Sequence, residues 1–235
     1  SLEKVKFIIA NSNFTKKLAI SIGLPEKKIH IIHPGHDEPL NIEDRYEKDS
    51  EKFFGDSFPK ILTVARLDRR KNHQNILMSI RNLKEKFPKI KYISVGDGVE
   101  KKRLLALAKE LKLENQVLFL GNIDQKLKVS LMQKADLFLM PSITYKKSVE
   151  GFGISFIEAA SYGVGSIGGK DGGAEDAIKN NETGLLCDGQ DISAIYNSII
   201  EFFKNDNYKR FGSNAMKFSE NFTWKKIIRQ YLDLI

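Results

Sequence analysis

With Cys187 as its only cysteine, this 235-residue chain has no partner for an intramolecular disulfide, which excludes a disulfide framework and fits a reducing, cytoplasmic setting. No apolar run approaches the roughly 20 residues that a membrane-crossing helix needs. No internal repeat shows. No secretory leader opens the chain, and residue 1 is serine rather than methionine, so the start reads as a cut within a longer protein. Without a secretory context, the sequons at Asn13, Asn181 and Asn221 carry little weight. The first strand of the main domain is not followed by G-x-G-x-x-G, which disfavours a nicotinamide dehydrogenase. Histidines number four. His30, His33 and His36 are interrupted by Pro34-Gly35 and lack evident carboxylate or thiolate partners, so they read as structural and no metal site is expected. His73 sits at a helix start, where capping or packing suffices.

What is present is an ordinary globular composition, 41% hydrophobic and 29% charged, with a net charge of +8. That surplus attracts anions, but nucleotides, phospholipid headgroups and nucleic acid all qualify. A nucleic-acid surface would interleave aromatics with basic residues, whereas the aromatics here fall in strand and helix cores. Nucleic acid is therefore not expected as a partner; peripheral attachment to the inner face of a membrane stays open.

Short apolar runs alternate with amphipathic stretches, the order of βα units around a parallel sheet. Residues 61–65, 90–95, 117–120, 136–140 and 163–167 read as strands. Ile76, Leu77, Ile80, Leu83 and Phe87 stripe one intervening helix, and Leu104, Leu105, Ala108 and Leu111 the next. The expected fold is α/β, a doubly wound and mostly parallel sheet with ligand sites at the carboxyl ends of its strands. Residues 1–38 form a βαβ-like piece, with strands at 7–10 and 29–32, ending at a hinge near 34–40. The polar stretch Asn41 to Lys52 reads as a linker, 39–222 as the main domain, and 223–235 as a terminal helix capped by Thr223.

Chemistry is expected where strands end. Arg66-Leu67-Asp68-Arg69-Arg70-Lys71 leads into the helix near Asn72, so the loop suits a diphosphate or is a solvated turn. Gly96-Asp97-Gly98 is a tight turn that a ligand could approach. In Glu150-Gly151-Phe152-Gly153-Ile154-Ser155-Phe156-Ile157-Glu158, Gly151 and Gly153 let amides face an anion. Glu158, carried into apolar surroundings, either faces solvent or holds a hydroxyl-bearing ligand.

The two glutamates, with seven residues between them inside EGFGISFIEAASYG, resemble the E-x7-E motif of family 4 glycosyltransferases. ILTVARLDRRKN, SVGDGVEKKRLLALAKELKLENQVLFLGNI, ADLFLMPS, GGAEDAI and NETGLL follow in that family's order, so the likeness covers nearly the whole chain. The resemblance implies a GT-B fold of two Rossmann-like domains, with this chain similar to the C-terminal, donor-binding one. The glycine-rich loop and histidine of the acceptor half have no counterpart here. The terminal helix would then pack toward that missing half.

The same resemblance assigns roles. Arg66 and Lys71 match the pair that grips the donor diphosphate, which implies no metal and no cofactor beyond the nucleotide-sugar itself. Glu158 matches the carboxylate on the ribose and Glu150 the one on the transferred sugar. Gly151, Phe152, Gly153 and Ile154 would line sugar and phosphate; Gly96, Asp97, Gly121, Asn122 and Ile123 would lie along the nucleoside. GGAEDAI is most similar to GDP-mannose-dependent enzymes, which implies a retaining mannosyltransferase acting on a glycan or glycolipid acceptor in cell-surface polysaccharide or lipopolysaccharide synthesis. A UDP-sugar-dependent transferase and a non-catalytic nucleotide-binding module remain the alternatives. Ala65, Gly165 and Asp176 depart from the family's usual Gly, Pro and Glu, and Tyr145-Lys146-Lys147-Ser148 is an insertion with no counterpart.

Overall fold

The computed structural model describes residues 5–37 and 39–234. The expected boundary at residue 38 falls on Glu38, outside the described residues. The core is a six-stranded sheet built from β3 (Lys60–Val64), β4 (Lys91–Val95), β5 (Val117–Gly121), β6 (Leu137–Met140), β7 (Ser166–Gly169) and β8 (Gly184–Cys187). These strands run in the order β5-β4-β3-β6-β7-β8, and every neighbouring pair is parallel. Strand order therefore reverses between β3 and β6, the switch point where two adjacent crossovers leave on opposite faces and open a crevice.

Alternation along the strands divides the core in two. Ile61, Tyr92, Leu137, Leu139 and Ile167 face one side, covered by α3 (His73–Leu83), α4 (Lys101–Glu110) and α8 (Ile192–Phe203). Leu62, Ile93, Phe138 and Met140 face the other, with Leu131 and Met132 of α5 (Gln125–Lys134) and Phe156 and Ile157 of α6 (Ile154–Ser161). Both faces are buried, so the strands carry apolar residues on both sides rather than an apolar-polar alternation. Two of the polar groups in this interior pair with each other. Tyr92 donates its hydroxyl to Thr63 Oγ1 at 3.1 Å, and Thr63 donates onward to the Leu139 carbonyl.

The expected linker is instead helical. α2 (Asp44–Phe54) packs on α5, with Ser50 and Phe54 buried and Ser50 Oγ 2.8 Å from Ser130 Oγ. Tyr46, Phe53 and Phe54 are too few to mark a stripe in so polar a segment, and ion pairs such as Lys134–Glu51 at 3.0 Å complete the contact. Four further elements lie outside the expected set: β8, the short α7 (Ala174–Ala177) after Gly173, α8, and α9 (Asn207–Ser219). The strand expected from Gly163 begins later, at Ser166.

Residues ahead of the main domain form a separate two-stranded parallel sheet, β1 (Ile8–Ala10) with β2 (Ile29–Ile31), joined by α1 (Asn13–Ser21). This piece is fastened to the main body. Asp176, the departure from the family's Glu, accepts the Asn13 backbone N–H at 2.6 Å and the Asn13 amide at 3.0 Å. His33 stacks on Phe152 with ring centroids 5.1 Å apart. His36 donates its backbone N–H to the Phe222 carbonyl at 2.8 Å, and Trp224 returns one to the His36 carbonyl at 3.2 Å. The last helix, α10 (Trp224–Leu232), starts at Thr223 as expected, but the threonine side chain makes no capping bond. Of its apolar face only Ile227 is buried, leaving Ile228 50% and Leu232 63% exposed.

The α2 contact yields a test. Phe54→Ala removes a ring 2% exposed in the second cluster and should cost about 3–5 kcal/mol in denaturant unfolding. A loss below about 1 kcal/mol would mean that this helix is not part of the core.

Candidate functional site

The switch-point loops meet over a buried carboxylate. After β3 the chain forms a 3-10 turn, Arg69–Lys71, whose preceding Asp68 accepts the Lys71 N–H at 3.1 Å. That turn directs Arg70 and Lys71 inward. Glu150 Oε2 accepts from Arg70 Nη1 at 2.7 Å and Lys71 Nζ at 2.5 Å, with Ser142 Oγ 3.4 Å away. All three charged groups are less than 10% exposed. Lys71 is held below the usual lysine range because burial outweighs the attraction of Glu150. Asn72, in left-handed geometry at φ 62°, clamps the turn in place by donating to the carbonyls of Pro141 at 3.0 Å and Gly189 at 2.6 Å.

Lys71 and Glu150 are thus brought together, but Arg66 is not with them. Its side chain is 78% exposed and lies 3.7 Å from Asp68. Arg70 occupies the inner position instead. The sequence offered six consecutive loop residues and no periodicity by which to sort inward from outward ones. Arg70 is placed by the 3-10 turn, a local geometry that composition does not encode.

The α6 end of the site is built on glycine. Gly153 caps the helix at φ 87°, and a Cβ there would lie 2.5 Å from the Phe156 ring, so no other residue fits unstrained. It brings no side chain to satisfy the amides of Ile154 and Ser155, which stay available to an anion, while Phe156 N–H donates to the Gly153 carbonyl at 2.9 Å. Phe152 departs from expectation: its ring is 2% exposed, packed on His33 and Phe222, and belongs to the core. Ile154 is half-buried against the same cluster, and Gly151 abuts the Asn11 side chain.

Of the remaining predicted residues, Gly96, Asn122 and Ile123 line a crevice of about 250 Å³ together with Val64, Ala65 and Lys128. Gly96 is required there, since a Cβ would lie 2.1 Å from the Ala65 carbonyl oxygen, and its N–H donates to the Gly121 carbonyl at 2.8 Å. Asp97 does not line the crevice. It pairs with Lys101 at 2.7 Å, and that hydrogen bond holds its carboxyl below the usual range. Lys128 also borders an adjoining cleft of about 330 Å³ that contains Glu158, and its Nζ donates to Glu158 Oε1 at 3.1 Å. Glu158 is 30% exposed, not sealed in apolar surroundings. Lys128 is unmarked in the sequence because it sits among lysines of a polar helix, and only the fold turns it toward the cleft. Among the described residues no group of His, Cys, Asp and Glu is arranged to hold a metal ion, and no helix is long and apolar enough to cross a membrane.

Residues 44–218 match the family described as Glycosyl transferases group 1. The chain belongs to that family. Similar proteins include N-acetyl-alpha-D-glucosaminyl L-malate synthase of Bacillus anthracis, 28% identical over 88% of this chain and 53% of that protein. The GDP-mannose-dependent alpha-(1-6)-phosphatidylinositol monomannoside mannosyltransferase of Mycobacterium tuberculosis is 26% identical over 81% of the chain and 50% of its own length. The chain spans about half the length of these relatives. In fold it is similar to Anabaena Alr3699/HepE, solved in complex with UDP and glucose, at a TM-score of 0.85 and 23% identity over 97% of this chain and 62% of that one. The likeness in fold places the sheet in the GT-B class.

A buried histidine beside the site supplies a pH test. His73 is 1% exposed, and burial first, then the charge of Lys71, pushes it from 6.5 down to about 3. Between those values the unfolded imidazole binds a proton that the folded one refuses, so stability falls as pH drops from about 6.5. The contribution is at most about 4–5 kcal/mol. His73→Phe should flatten the unfolding midpoint between about pH 7 and pH 5. A mutant curve parallel to the parent's would remove His73 from this account.

Proposed function

We propose that this chain is the donor-binding half of a retaining glycosyltransferase, with GDP-mannose as donor and a glycan or glycolipid as acceptor. The observation that carries the reading is charge balance at the switch point. Arg66, Arg70 and Lys71 face only Asp68 and Glu150, leaving one surplus positive charge, part of it in a desolvated place. An anion at the strand ends would satisfy it. A diphosphate suits the geometry: exposed Arg66 swings onto it, Lys71 approaches from below, and the amides at the start of α6 complete the cradle.

Each residue then has a task. Fixed cations stabilise the charge that develops on the departing diphosphate, so the residues of the chain do what a metal ion would otherwise do. Glu158, steadied by Lys128, accepts from the ribose hydroxyls, while the nucleoside lies in the crevice past Gly96, Asn122 and Ile123. Glu150, at the rim of α6, faces the sugar. Mannose is supported by GGAEDAI and by the name of the mycobacterial relative. The acceptor would be held by a further domain, which closes the cleft and excludes water.

Melting shifts with GDP, UDP, ADP and their sugar conjugates test the donor. GDP and GDP-mannose should stabilise most, EDTA should not abolish the shift, and added salt should weaken it. A clear UDP preference would sink mannose and leave the transferase class intact. The two glutamates should separate. Glu158→Ala weakens free GDP by about 1–3 kcal/mol, while Glu150→Gln, which keeps an acceptor for Arg70 and Lys71, spares it. Equal losses, measured by calorimetry, would overturn the division of roles.

A further inference from the structure

Asn11 stands just past the carboxyl end of β1, outside the six-stranded sheet, and has no task in the donor site described above. It is exposed, yet held in place. The Ala10 carbonyl accepts the Ile32 N–H at 3.0 Å, and His33 Nδ1 donates to the Asn11 carbonyl at 3.0 Å. The His33 ring is itself pinned by its stack on Phe152, inside the E-x7-E segment. Next to it, the Asn13–Asp176 bonds fasten the start of α1 to the loop after β7. The Asn11 side chain is oriented as well. Thr15 Oγ1 donates to Asn11 Oδ1 at 2.8 Å, which fixes the amide plane and leaves Nδ2 to look elsewhere. That amide lies on Gly151, where an added Cβ would stand 2.9 Å from Nδ2. Among the described residues Nδ2 has no acceptor for either of its protons.

Glu150, the residue before Gly151, has an unused oxygen of its own. Arg70, Lys71 and Ser142 all engage Oε2. Oε1 accepts from none of the described residues, and it is absent from the sealed polar atoms that lack a partner, so it reaches solvent. A free acceptor on Glu150 and a free donor on Asn11 thus both adjoin Gly151. A phosphate, which brings acceptors and negative charge, would be repelled by Oε1. A hydroxyl is donor and acceptor at once, so a carboxylate oxygen and an amide N–H together suit the hydroxyls of a sugar.

We propose that Asn11 is a sugar-binding residue of the donor site, donating from Nδ2 to a hydroxyl of the transferred hexose. The β1–α1–β2 piece then supplies one wall of the hexose subsite, opposite the amides that begin α6. This role rests on the donor-half reading of the chain and adds to it a group that the E-x7-E segment does not contain. Because Thr15 and His33 hold Asn11 before any ligand arrives, little ordering remains to be done when the hexose binds.

Calorimetry of the chain and of Asn11→Ala with GDP, UDP, GDP-mannose and UDP-glucose tests the assignment. The side chain is exposed, so the substitution should move the melting temperature by no more than about 2 °C. Asn11→Ala should weaken whichever nucleotide-sugar the parent prefers about fivefold, the scale of one neutral hydrogen bond, and leave the matching nucleoside diphosphate unchanged. In the isotope-labelled parent, the Asn11 side-chain amide signals should shift with the nucleotide-sugar and stay in place with the diphosphate. Equal affinity of parent and variant for the nucleotide-sugar would overturn the proposal. So would equal weakening of diphosphate and nucleotide-sugar, or Asn11 amide signals that the nucleotide-sugar leaves unmoved. Each of those outcomes, with nucleotide still bound, leaves the donor reading standing. A parent chain that binds none of the four compounds would defeat the donor reading and the role of Asn11 with it.

Discussion

The carboxylate of Glu150 between Arg70 and Lys71 holds the two halves of the sheet's ligand edge together. Removing charges from water is expensive, and each is tolerated only because the others are in place. The loop after β3 and the loop after β6 are therefore one unit, although 79 positions separate Lys71 from Glu150. Asn72 extends the unit to the loop after β8, and Gly173 donates its N–H to the Glu150 carbonyl at 2.8 Å, adding the loop after β7. Four strand ends are tied together around one acidic residue.

Apolar runs such as Ile61-Leu62 and Leu137-Phe138 make the central strands legible in the sequence, because burial on both faces leaves a continuous hydrophobic signal. α2 is hidden by the opposite circumstance. It holds its place with two buried residues and ion pairs, and its sequence is otherwise that of a solvated loop. β8 is short and Gly184 opens it, so its strand character comes from pairing with β7 rather than from propensity.

The site is legible in part for a similar reason. Glycines at 96 and 153 announce themselves, since a backbone that approaches another carbonyl or bends to positive φ tolerates little else. Lysines and arginines do not. Arg66, Arg70 and Lys71 are chemically interchangeable in the sequence, yet one is in solvent and two are buried, a sorting done by a single 3-10 turn. Lys128 is likewise one cation among several on α5 until the fold sets it beside Glu158.

The lone cysteine closes the second half of the sheet. Cys187 is 3% exposed at the end of β8, and burial pushes its thiol up to about 12. A thiol so protonated and enclosed is inert toward alkylating reagents until α8, which covers it, lifts from β8 and admits solvent. With no other sulfhydryl in the chain, the rate at which the native protein takes up such a label is a clock for opening at that edge of the sheet, the edge that also carries the Gly189 anchor of Asn72.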